Sequence, residues 1–145
     1  MPVRNDLLKP IPGANPGGSD LRYDEVTDKL KEARREDDPT LPQGDVWEKP
    51  RKVADWPLVV KLAGDALASK SKDLQIAAWL TEGMLHQDGF AGLKAGLDLI
   101  HALLDQFWEH VHPLPDGKDL DQRAAPLNWV GSALEGPARA VALTK

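Results

Sequence analysis

Between Phe90 and Val111 the apolar residues Phe90, Leu93, Leu97, Ile100, Leu104, Phe107 and Val111 recur at steps of three and four. Such spacing winds one apolar stripe along a helix, and strand alternation cannot produce it. At about 100° per residue, Leu99, Leu103 and Trp108 widen the stripe to roughly half the wheel. Lys94, Asp98, Asp105, Gln106 and Glu109 fall on the other half. A helix over 89–111 is therefore predicted, with Leu97 and Leu104 in the core and no second apolar stripe on its polar side. The preceding stretch, 73–86, is apolar nearly all round. Leu74, Ile76, Ala77, Ala78, Leu80, Met84 and Leu85 leave only Gln75, Glu82 and His86 as a polar edge. Neighbours enclose a helix of that kind, so 73–86 is the expected central helix.

The remaining elements follow from breakers and caps. Residues 1–23 carry Pro2, Pro10, Pro12 and Pro16 with Gly13, Gly17 and Gly18. Proline removes donors and glycine adds chain entropy, so an extended arm is expected, pinned by Leu7, Leu8 and Ile11. Asp24 is placed to cap a helix over 24–36, with Arg34 and Arg35 at its C-terminal end. Residues 37–55 hold three prolines, a glycine and no period, which predicts a long loop. Pro57 suits the first turn of a helix over 56–69. Pro113 stops the long helix, and Leu127, Val130 and Leu134 mark a last one at about 122–135. Pro126 conflicts with that span: either the regular part starts near Ala125 or the helix is kinked there. Gly136–Pro137 ends it, and 136–145 reads as the start of a linker or further element. The chain is thus expected to be a single all-α domain, a bundle of five to six helices, with arm 1–23 and helical body 24–135.

Composition narrows the function classes. The chain has 145 residues, 41% hydrophobic and 28% charged, which suits one globular core. A net charge of −5 without a Lys/Arg run leaves out the footprint of a nucleic-acid binder. Without cysteine there are no disulfides or thiolate metal sites. No apolar run approaches the roughly 20 residues of a membrane span, and the first residues lack the apolar core of a signal peptide. A cytoplasmic protein is the expectation.

Candidate chemistry is sparse. His110 and His112 stand two apart, so a helix would point them to nearly opposite sides, and a helix C-terminus favours both. Glu82 and His86 share a helix face at four residues' spacing; without H-E-x-x-H or a recognisable third ligand they read as a surface Glu–His pair, with a metal-dependent hydrolase as the alternative. Asp116, Asp119 and Asp121 lack the glycine and glutamate of a calcium loop. Gly92 and Gly96 lie in the apolar half of the long helix, where close approach of a neighbour offsets their helix cost of about 1 kcal/mol each. Leu41 and Trp47, the large apolar residues of the loop, either tuck onto the helices or form a partner-binding hook. Trp79 is either packed or a contact. Leu41, Trp47 and Trp79 are the candidate partner-binding residues; catalytic, cofactor and metal residues are not assigned. A pocket lined by Trp79, Trp108 or Trp129 would mark a small-ligand-binding bundle instead.

Three stretches carry a family resemblance. They are PIPGANPGGSDLRYD at 10–24, Trp56-x-x-Val59 followed by SKDLQIAAWLTEGMLHQDGFAGLKAGLDLI at 71–100, and FWEHVHP at 107–113 followed by Arg123 and a leucine/tryptophan helix. In order and spacing the chain resembles the N-terminal domain of the TssA (ImpA) family of type VI secretion proteins. The resemblance implies an all-α, non-enzymatic interaction module without cofactors. It implies cytoplasmic work on other secretion components: baseplate, tail tube or sheath. It also implies that large rings need a C-terminal part this chain lacks, leaving the isolated domain a monomer or small oligomer.

Overall fold

A computed structural model describes residues 5–13, 15–21, 24–36, 52–114 and 120–141, and three of its helices begin where carboxylates stand ready to cap them. Asp24 accepts from the Val26 amide before α1 (Glu25–Arg34), Asp55 from Leu58 at the start of α2 (Trp56–Ser69), and Asp73 from Gln75 and Ile76 at the start of α3 (Leu74–Asp88). Each cap satisfies amides that the first helical turn leaves without partners. Then come α4 (Phe90–Gln106), α5 (Asp121–Ala133) and the short α6 (Glu135–Arg139). A 3-10 helix, Asn5–Leu8, precedes them all. Among the described residues there is no strand longer than an isolated bridge. The protein is all-α.

The nearly uniform apolarity of α3 has the expected result. α2, α4 and α5 pack around it, and α1 packs on α2. Leu74, Ala77, Ala78, Leu80 and Leu85 are buried on different sides of the same helix. α4 meets α3 through Gly92 and Gly96. A Cβ at Gly92 would run into the Met84 carbonyl, and one at Gly96 into the Thr81 side chain. The two backbones therefore approach along this line closer than larger residues would allow.

That approach overturns the expected facing of the long helix. The α4 residues buried against α3 are Gly92, Gly96, Leu99, Ile100 and Leu103. Leu97, expected in the core, is 45% exposed, Phe90 is 44% exposed, and Leu104 is half-buried. The centre of the contact lies on the glycines, and the line Phe90–Leu97–Leu104 is turned to its edge. The apolar pattern located the helix, but the smallest residues decided its rotation.

The helix also stops earlier than predicted. α4 ends at Gln106, not 111, because the following backbone finds partners elsewhere. His112 donates its amide to the Lys72 carbonyl (2.8 Å) and accepts from the Leu74 amide (2.7 Å). On the other side of residues 70–72 lies the N-terminal arm. Lys72 donates to the Gly17 carbonyl (2.7 Å), and Ser19 donates to that of Lys70 (3.2 Å). Gly18 has φ +78°, and a Cβ there would strike the Lys70 carbonyl, so glycine is required for this contact. Three chain segments thus meet in a short ladder at one end of the bundle. His112, expected on a helix, lies in this ladder, its Nε2 3.0 Å from the Gly18 carbonyl.

Lys72 fills the centre of the junction. The side chain is fully buried, and Nζ donates to the carbonyls of Leu7 (2.5 Å) and Leu67 (2.6 Å). The Phe107 ring centroid is 5.4 Å from it. Burial pushes the ammonium from 10.5 down to about 8, while the Asp6 carboxylate pulls the other way. Arg123 closes the far side. It donates to the Val111 (2.9 Å) and Pro113 (3.2 Å) carbonyls and so ties α5 to the segment after α4.

α5 runs through Pro126, so the helical span starts before the proline and not at Ala125. Gly136–Pro137, expected to end the helix, lies inside α6. The rotation of α4 predicts a contrast between two leucines. Leu103→Ala should cost about 2–5 kcal/mol, whereas Leu97→Ala should cost less than about 1 kcal/mol. Urea denaturation of both variants measures this. Equal losses would mean that Leu97 is a core residue.

Candidate functional site

A groove of about 540 Å³ lies between the first turns of α3, the body of α1 and the middle of α5. Its apolar lining includes Leu21, Ile76, Trp79, Pro113 and Pro126, with Lys31 and Gln122 among the polar lining. The walls come from the arm, α1, α3, Pro113 and α5, held together by the capped start of α3 and by Arg123. Asp73 lines the groove while capping α3. Burial pushes its carboxyl above the ordinary value, and its hydrogen bonds to Gln75 and Ile76 oppose that shift. An apolar lining with polar residues among it suits a side chain or a short extended segment of a partner, and equally a small molecule.

Trp79 lines the groove but is itself 7% exposed. Behind it stands Arg34, whose guanidinium carbon lies 5.5 Å from the Trp79 ring centroid and 5.1 Å from that of Trp129. Arg34 also makes a bidentate ion pair with Glu82, at 2.6 and 3.1 Å. The cluster ties α1, α3 and α5 together and fixes the ring that shapes the groove. Of the three tryptophans proposed to line a pocket, Trp79 does so. Trp129 packs partly buried against the core, and Trp108, 48% exposed, lies against Arg123 at 4.6 Å.

These contacts correct the expected surface Glu82–His86 pair, and they engage both side chains that a metal-dependent hydrolase would need. Glu82 is committed to Arg34, and His86 stacks on Trp56 with ring centroids 4.0 Å apart and planes 5° from parallel. Among the described residues no three His, Asp or Glu side chains converge as a metal site would need. Leu41 and Trp47 lie outside the described residues, as do Asp116 and Asp119. The ion pair was missed in the sequence because Arg34 was assigned to the helix dipole alone. A glutamate inside an otherwise enclosed helix was the available signal, since buried carboxylates need a cationic partner.

In class, this is an all-α domain with an open groove against its central helix, and no described helix is long and apolar enough to cross a membrane. The sequence profile of the ImpA N-terminal family of the type VI secretion system matches residues 8–132, and the chain belongs to that family. It is 37% identical over 113 residues to the type VI secretion system component TssA1 of Pseudomonas aeruginosa. That alignment covers 78% of this chain and 32% of the relative, so the chain spans about a third of the relative's length. The solved structure of a TssA N-terminal domain from Burkholderia cenocepacia, described as including the conserved ImpA_N region, superposes with a TM-score of 0.81 at 36% identity. The superposition covers 100% of this chain and 53% of that one.

The Arg34–Glu82 pair supplies a test of how the groove is held. Glu82 is almost wholly buried, so Arg34→Ala should leave its charge uncompensated and cost about 2–4 kcal/mol. The double variant Arg34→Ala/Glu82→Ala should recover part of that loss. A loss below about 0.5 kcal/mol for Arg34→Ala, read by urea denaturation, would show the pair to be screened like a surface bridge.

Proposed function

We propose that this chain is a non-enzymatic protein–protein interaction and assembly module of a bacterial type VI secretion system. It works in the cytoplasm on baseplate, tail-tube or sheath components. The observation that carries this reading is the family match over 8–132 together with the similarity to named secretion components. The state of the reactive side chains supports it. Glu82 is paired with Arg34, His86 is stacked on Trp56, and His112 is hydrogen-bonded within the ladder. In this reading 24–135 is the helical body, 1–23 its arm, 37–55 a long loop, and 136–145 the start of a linker or further element. Large rings depend on a C-terminal part beyond it.

The contact residues proposed for partners are Leu41 and Trp47 on the loop and Trp79 as the groove wall. A small-ligand reading is favoured only by the volume of the groove beside Trp79. Recovery of identified secretion components by this chain as bait tests the first reading. Trp47→Ala is expected to weaken that binding by about 2 kcal/mol. It is also expected to leave folding stability within about 0.5 kcal/mol. A stability loss of about 3–5 kcal/mol with binding unchanged would make Trp47 a core plug. Failure to recover any baseplate, tube or sheath protein, with a metabolite instead raising the melting temperature, would favour the small-ligand reading.

A further inference from the structure

The rotation of α4 onto its glycines leaves an apolar line without a described partner. Among the described elements, α3 and the 3-10 helix are the ones that pack appreciably on α4. Phe90, Leu97 and Leu104 follow one another at intervals of seven, so they lie almost above one another along the helix. Phe90 and Leu97 are each nearly half exposed. Beyond the C-terminal end of the same helix, Trp108 is also half exposed.

The charges beside this line have an order of their own. Lys94, Asp98, His101 and Asp105 are all exposed and lie along the solvent side of the line, alternating basic and acidic. Within the helix only Lys94 and Asp98 are joined, by a 2.7 Å ion pair between exposed groups, and such a pair is worth little and is readily exchanged. The series is symmetric about a point between Leu99 and Ile100. Turned end for end about that point, Lys94 comes level with Asp105 and Asp98 with His101. A two-fold axis relating two antiparallel helices keeps the same flank of both on the same side, so each surface meets its own copy.

We propose that this outer edge of α4 is a self-association surface, on which two copies of this chain pair antiparallel. In that register Leu97 of one copy falls between Leu97 and Leu104 of the other. Phe90 reaches the turn that carries Trp108. Lys94 lies beside Asp105, and Asp98 beside the His101 imidazole, which keeps an N–H donor in either charge state. Charge complementarity selects a second copy as the occupant: turned end for end, a copy sets Asp105, His101, Asp98 and Lys94 against Lys94, Asp98, His101 and Asp105, an order that an unrelated apolar helix has no reason to carry. The contact is small. A pair of 17-residue helices buries much less than the roughly 1,600 Å² of a standard interface. The dimer is therefore weak in dilute solution and gains from being tethered in a larger assembly.

Sedimentation equilibrium of the whole chain, from about 10 µM to about 1 mM, tests this. A reversible monomer–dimer equilibrium is expected. Leu97→Glu should weaken it by about 10-fold or more, as loss of a central interface anchor does. Because Leu97 is exposed, its thermal unfolding should stay near that of the parent. Lys94→Asp sets like charges against Asp105 and should weaken the dimer roughly 3-fold, and adding Asp105→Lys should restore it. A chain that stays monomeric throughout, as it would if a different protein or a further segment of a longer chain covers this line, overturns the proposal. So does a dimer that Leu97→Glu leaves intact, which would form through another face.

Discussion

The ammonium group of Lys72, closed off from water between the Leu7 and Leu67 carbonyls, is the interaction on which the arrangement of this bundle depends. An unpaired charge in that position would be costly. Here two of its donors are met by carbonyls and the Phe107 ring lies within cation–π distance. The two carbonyls belong to the N-terminal 3-10 helix and to α2. The same lysine's backbone joins the arm through Gly17 and the post-α4 segment through His112. Four parts of the chain that no local pattern brings together therefore share one residue. Parts of the stretches that carry the family resemblance, namely Gly17 to Ser19, residues 71–74, and Val111 and His112 with Arg123, converge on this junction.

A second constraint acts inside the bundle. Gly92 and Gly96 bring α4 against Met84 and Thr81 of α3, and Gly83 brings α3 against Val59 and Val60 of α2. Close approach strengthens dispersion contacts over the whole length of two helices, and this outweighs the burial of two additional side chains at their edge. Phe90 and Leu97 are left outside for that reason. The same preference that tightens the core thus leaves an apolar line on the described surface.

Much of the fold was legible in the sequence because its signals are local. Asp24, expected as a cap, stands one residue before α1 and caps it, and the all-round apolarity of 73–86 marked the central element. The close approach at Gly92 and Gly96 was legible, but the facing of α4 was not, because the apolar wheel weights large side chains and so placed Leu97 in the core. The end of α4 was missed because its last expected turn is replaced by hydrogen bonds to residues 72–74, some forty positions earlier. The groove beside Trp79 was illegible for a similar reason. Its walls come from the arm, α1, α3, α5 and Pro113, and the ring is set by an ion pair between residues 34 and 82. Only Trp79 itself, as a large residue on the polar edge of an enclosed helix, was visible in advance.

Amide hydrogen exchange at the junction is the most direct measure of whether the fold rests on it. The amides of Lys72, Leu74 and His112 are predicted to exchange only through global unfolding, at the same rate as those of Leu80 and Leu85 in the central helix. Exchange at Lys72, Leu74 and His112 orders of magnitude faster than in α3 would contradict the account. It would show that the bundle holds together with the junction open.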